Sequence, residues 1–267
     1  MKGTIKNTNE FENSWQKTKA CLIKEMEEER KSIKDNGLGP YWIFCVCSSS
    51  FFFVFPLLIP SLRKWFLSFF SNESLEAGLI FIGIFLLVGI TMALSIIHIP
   101  SMIMVHKYNK AIQNLKRSNS RDVWTDIGCA GLIIDEFPSA IRKLLNRIEF
   151  LNAIEKASKV NSITNKKQKT KFIMNFSNGK LVSFEIILKK YSRLYAPNVH
   201  TDKKYQFEDY KLTFDYQWER DILPNIRLKE TKKKEHFEFD AKKDILTLYL
   251  SKKTIKKIQK EKKDSMQ

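Results

Sequence analysis

Cysteine, histidine and glycine are all scarce in this chain, and each scarcity removes a class of function. The four cysteines, Cys21, Cys45, Cys47 and Cys129, are scattered through 267 residues. That spacing offers neither a disulfide framework nor the paired thiols of a zinc site. The four histidines, His98, His106, His200 and His236, stand far apart, and none has a second ligand one helical turn away. No metal centre is expected from such a pattern. Nine glycines leave few phosphate-cradling turns, and no phosphate loop, dinucleotide fingerprint, nucleophile elbow or kinase set occurs. The sequence therefore names no catalytic, cofactor-binding or metal-binding residue. A non-enzymatic protein is the leading reading, although catalytic groups assembled by folding leave no local motif.

Charge is segregated along the chain. Its 46 Lys and Arg exceed its 29 Asp and Glu by 17. Residues 1–40 are close to balance, residues 41–100 hold two of each sign, and residues 101–267 hold 36 basic against 20 acidic residues. Nearly all of the excess thus follows an apolar block. Residues 36–62 and 77–106 contain no formal charge, and each stretch exceeds the roughly 20 apolar residues that cross a ~30 Å hydrocarbon layer. The pattern predicts transmembrane helices over residues 41–62 and 77–100, joined by a short extracytoplasmic loop at 63–76. Arg30, Lys31 and Lys34 precede the first stretch, Lys107, Lys110, Lys116, Arg117 and Arg121 follow the second, and only Arg63 and Lys64 lie between. Retention of basic flanks on the cytoplasmic side then places both termini in the cytoplasm. The polar first 40 residues do not fit a cleavable signal peptide. Cys45, Cys47 and His98 are read as packing residues rather than acylated or gating ones.

Helical periodicity brackets this block. Phe11, Trp15, Thr18, Leu22 and Met26 share one helical face, as do Val105, Tyr108, Ile112 and Leu115. An antiparallel stalk is the expected use, with the acidic run 25–29 facing the basic run 107–117. The competing use is a first helix lying flat on the membrane or packing on the soluble domain. A short helix is predicted over 122–134, then a clearer one behind Pro138 with Ile141, Leu144, Leu145, Ile148, Leu151 and Ile154 on its apolar face. Beyond residue 160 the period changes to two. Phe172, Met174 and Phe176 alternate before Asn178-Gly179, and Val182, Phe184, Ile186 and Leu188 alternate after it, which predicts a hairpin. Leu212, Phe214, Tyr216 and Trp218 predict another strand, with a turn or bulge near Asp209. Residues 237–240 and 245–250 predict a second hairpin.

The fold class expected from these patterns is an α+β membrane protein. It comprises a two-helix transmembrane hairpin with helical cytoplasmic extensions at 1–40 and 101–120. A basic cytoplasmic α+β domain follows at 121–251, with two helices and about five or six antiparallel strands. A lysine-rich tail at 252–267 is expected to be mostly solvated. The candidate lipid- or partner-binding residues are Lys107, Lys110, Lys116, Arg117, Arg121, Lys166, Lys167, Lys169 and Lys171, with further lysines at 229, 232–234 and 252–263. Basic residues near an anionic leaflet gain about 1 kcal/mol each, so the expected partners are the bilayer itself, anionic headgroups or an acidic protein, with a homo-oligomer allowed. Nucleic acid is disfavoured because no base-reading motif is present. In topology alone, the arrangement resembles bacterial two-span membrane proteins, effectors placed in host membranes and antiphage proteins with a β-rich sensor. This implies a bacterial inner membrane or a host membrane. The functional expectation is a module presenting a basic α+β surface to a protein or anionic lipid. The alternatives are a sensor binding a small, phosphate-bearing ligand and a membrane-bound enzyme.

Overall fold

The computed structural model describes residues 1–38, 99–133, 137–159, 166–193 and 204–266, with Pro60, Gly83 and Leu87 as isolated positions. Its elements run in the order β1 (Lys2–Lys6), α1 (Thr8–Leu38), α2 (Ile99–Arg117), α3 (Val123–Gly128), α4 (Ser139–Ser158), β2 (Lys166–Ser177), β3 (Lys180–Arg193), β4 (Lys204–Asp215), α5 (Tyr216–Glu219), β5 (Asn225–Glu230), β6 (His236–Asp240), β7 (Ile245–Leu250) and α6 (Lys252–Asp264). They fall into two compact units, Met1–Leu22 with Ile134–Gln267, and Ile23–Ile133.

The expected transmembrane hairpin requires correction. Among the described residues, no helix is long and apolar enough to cross a membrane. Length alone is not enough: α1 has 31 residues but carries charge throughout, and α2 carries Lys107, Lys110, Lys116 and Arg117. The stretches 41–62 and 77–100 lie outside the described residues, apart from Pro60, Gly83, Leu87, Ile99 and Pro100. The membrane placement and the cytoplasmic orientation of both termini therefore lose their basis. What stands is an α+β chain with six helices and two sheets among the described residues.

The sheets also differ from the expected antiparallel set. Strands β2, β3 and β4 form an antiparallel sheet in that order, whereas the second sheet has the order β1-β6-β7-β5. There β1 pairs parallel with β6, β5 pairs parallel with β7, and only β6 and β7 form an antiparallel hairpin. Parallel neighbours need long connections, so no local turn signal announces β1 or β5. The Asn178-Gly179 turn does join β2 to β3, with φ of 48° and 70°, the left-handed pair that a tight hairpin requires. In β4 the bulge expected near Asp209 falls at Phe207, where the register shifts between Lys190 and Tyr191 and leaves Phe207 as the extra residue.

Tyr216 and Trp218, expected to continue the strand, belong to α5 instead. The Asp215 carboxylate accepts from the Gln217 and Trp218 amides and starts a helical turn. Trp218 is left 70% exposed.

One core serves both sheets. Phe150 of α4 lies 6.4 and 5.2 Å from Phe184 and Phe214 in the three-stranded sheet, and 6.2 Å from Phe239 in the other. Phe172 and Phe237 meet between the sheets at 5.2 Å. In the same unit, Trp15 of α1 is buried, and its indole N–H donates to the Asn152 side chain at 3.0 Å. A polar lock holds α4 at one edge. Arg147 bonds Asp244 at 2.5 Å, Asn146 donates to Glu219, and the Tyr216 hydroxyl donates to the Pro224 carbonyl at 2.8 Å. In the other unit, Lys116 of α2 pairs with Glu27 of α1, and Arg30 donates to Asn109, both at 2.7 Å. These cross-links pair rising numbers on α1 with falling numbers on α2, so the helices run antiparallel. Asp122 caps α3 by accepting from Thr125.

Candidate functional site

The nine basic residues singled out from the sequence divide between the two units. Lys107, Lys110, Lys116, Arg117 and Arg121 belong to one unit, and Lys166, Lys167, Lys169 and Lys171 to the other. Lys116 is engaged with Glu27. Lys169 and Lys171 are exposed on one face of β2, with Lys169 directly opposite Lys189. Lys166 and Lys167 pair in register with Ser192 and Tyr191.

Two other basic surfaces are built more deliberately. The first is α6, an exposed helix formed by most of the lysine-rich tail. Ser251 caps it by accepting from the Thr254 amide, and the Glu235 carboxylate accepts from the Ser251 amide at 3.0 Å and the Thr254 hydroxyl at 2.7 Å. Burial pushes the Glu235 carboxyl up, but these donors outweigh it and hold the group below its ordinary range. At the far end the Ser265 hydroxyl accepts from the Gly179 amide at 3.2 Å. The helix is therefore held at both ends.

Its residues sort by face. At about 3.6 residues per turn, Lys252, Lys256, Lys260 and Lys263 share one side, with Lys253 and Lys257 beside them, and all six are exposed. Thr254, Ile255, Ile258 and Ser265 lie on the opposite side and are less exposed. The lysine arc extends for about 16 Å at 1.5 Å per residue.

The second surface is the outer face of the four-stranded sheet. Strand alternation sends Phe237, Phe239, Leu246 and Leu248 inward and their neighbours outward. The pairing registers align these outward residues in rows: Lys2, His236, Tyr249 and Lys229; then Thr4, Glu238, Thr247 and Arg227; then Lys6, Asp240, Ile245 and Asn225. Thr247 is short between Ile245 and Tyr249, and a recess of about 150 Å³ opens over it, lined also by Lys6, Arg227, Lys229, Glu238, Asp240 and Lys243.

The two carboxylates of the recess differ in their partners. Glu238 pairs with Lys6 at 2.8 Å and accepts from the Tyr249 hydroxyl at 3.0 Å. The Lys6 contact holds the Glu238 carboxyl below its ordinary range, while Glu238 in turn raises Lys6 and the Tyr249 phenol. Asp240 accepts from the Lys242 and Lys243 amides at the hairpin turn. By contrast, Arg227, Lys229 and Lys243 make no ion pair among the described residues. Lys229 sits 5.8 Å from the centre of the Tyr249 ring, which stacks on His236 at 4.4 Å.

Sequence reasoning flagged Lys229 and the lysines of α6 as clusters, but missed Lys6, Arg227, Lys243 and Tyr249. The available signal was alternation: Leu228 separates Arg227 from Lys229, as Phe239 separates Glu238 from Asp240. What it lacked was the knowledge that β1 and β5 flank the same hairpin.

The described residues contain no group of three His, Cys, Asp or Glu placed to hold a metal ion. Of the titratable residues around Arg147, namely Asp244, Tyr216 and Glu219, none lines the recess, and neither does Arg147 itself. His98, His200, Cys45 and Cys47 lie outside the described residues. Comparison with protein families, with curated proteins and with solved structures found no match.

Proposed function

We propose that this chain is a non-enzymatic binding module that docks an acidic protein partner on the lysine arc of α6. The observation that carries this reading is the capped helix with six exposed lysines on one side and its few apolar residues turned to the other. Rigid presentation matters because ordering a long side chain on a mobile tail costs entropy at each contact. A pre-formed helix has already met the backbone part of that cost. The same facing argues against a bilayer as the occupant, since an interfacial helix needs its apolar side free to enter the headgroup boundary. Nucleic-acid readers interleave aromatic or base-reading side chains with their cations, and the arc has neither.

The test uses the full chain and a variant with Lys252, Lys256, Lys260 and Lys263 changed to Gln. Binding to poly-glutamate is measured by titration calorimetry at low and high salt. Exposed charge pairs contribute about 0.5 kcal/mol each, so the variant should bind about thirtyfold more weakly, and added salt should weaken the wild type. Unchanged affinity in the variant would overturn the proposal, as would tighter binding of the wild type to anionic vesicles or duplex DNA than to poly-glutamate.

A further inference from the structure

We infer that the recess on the outer face of the four-stranded sheet is a binding site for a single phosphoryl group. This inference is independent of the docking role of α6, because it rests on different residues and a different surface. Arg227 and Lys229 reach it from β5, Lys243 from the β6–β7 turn, and Thr247 forms its floor. The carboxylates in the lining offset these cations only in part: Glu238 is paired with Lys6 and bonded by Tyr249, and Asp240, which accepts two backbone amides through one oxygen, is a single charge against three. Arg227, Lys229 and Lys243 thereby outnumber the one carboxylate of the lining that has no cation partner among the described residues, Asp240.

The chemistry of the lining selects the ligand. A guanidinium presents two parallel N–H donors that match two oxygens of a phosphate, and an ammonium adds a point charge without fixed direction. The Thr247 hydroxyl supplies another donor. Three cations and a hydroxyl around one recess suit a dianion with three acceptor oxygens better than a carboxylate with two. Size decides the rest. Pockets that enclose drug-sized ligands run to about 300 Å³ or more, whereas this recess measures about 150 Å³. It therefore takes the phosphoryl group and leaves whatever carries it in solvent. Inorganic phosphate and a phosphorylated side chain share that chemistry.

Thermal melting of the full chain in inorganic phosphate, compared with acetate at matched ionic strength, tests the site, because a ligand that binds the folded state raises the melting temperature. Phosphate should raise it and acetate should not. Arg227→Gln and Lys243→Gln should each weaken phosphate binding about tenfold. Both side chains are exposed, and their melting temperatures without phosphate should match the wild type. A Lys256→Gln, Lys260→Gln double variant on α6 should retain the full phosphate response. Equal stabilisation by acetate would overturn the inference, as would a loss of response in the α6 variant as large as in the recess variants. A second arm replaces phosphate with a phosphoserine peptide. Tighter binding than inorganic phosphate identifies a phosphorylated partner as the source, equal binding identifies the free anion, and either result supports the site.

Discussion

At the scale of single residues, Glu219 is the clearest case of a cost accepted for position. It is 8% exposed, one of its carboxylate oxygens has no hydrogen-bond partner, and the other accepts from Asn146. Burial raises its carboxyl above the ordinary value of 4.5, nearby Asp215 adds to the rise, and the Asn146 bond opposes it. Because the folded state holds this proton more tightly than the unfolded state, the contribution of Glu219 to stability is greatest at low pH. It is lost as pH climbs from about 4.5 through the raised folded value. Glu219→Gln keeps an acceptor for Asn146 and removes the buried charge. The variant should unfold with about 1 kcal/mol more resistance at neutral pH, and the difference should vanish in acid, where the native carboxyl is protonated. Urea unfolding across that range measures it; a gap of constant size would show that ionisation of Glu219 is not its cause.

At the scale of elements, capping decides outcomes that periodicity leaves open. The alternation through Leu212 and Phe214 carries on to Trp218, yet Asp215 turns the chain into a helix by satisfying two amides. In the tail, where Ile255 and Ile258 are the only apolar residues among many lysines up to residue 263, Ser251, Thr254 and Glu235 together start a helix that Ser265 then fastens to the Gly179 turn. The two ends of this network lie far apart in sequence, so no local window contains the whole signal. Ser251→Ala should cost about 1 kcal/mol, visible as faster amide exchange along residues 252–264 with little change in the sheets. Uniform protection would mean that packing, rather than the cap, holds the helix. The Asn178-Gly179 hairpin is the contrasting case. Its turn demands two left-handed residues, and that demand is met by two adjacent letters.

At the scale of the whole molecule, the unit containing both sheets is closed by chain ends. Strand β1 lies parallel to β6, more than 200 residues away in register, and brings Lys2 and Lys6 onto the face that holds the recess. The approach is close at Gly3, where an added Cβ would come within 1.9 Å of the Phe237 ring. Phe237 is fully buried, so the ring has nowhere to move cheaply. Gly3→Ala should cost about 2 kcal/mol through overpacking, a fall of roughly 5 °C in melting temperature for a chain of this size. A variant that melts with the wild type would show that β1 docks loosely. The sequence by itself determined the helical faces, the hairpins at Asn178-Gly179 and between β6 and β7, the α+β character and the excess of lysine, because each is written in periods and pairs only a few residues apart. It misjudged the apolar stretches as the organising feature of the fold, since no described helix could cross a membrane. Only the tertiary structure decided that β1 and β5 flank one hairpin and that Arg227, Lys229 and Lys243 surround Thr247. Parallel strand pairing and the meeting of distant cations depend on burying shared apolar area, which no local pattern encodes.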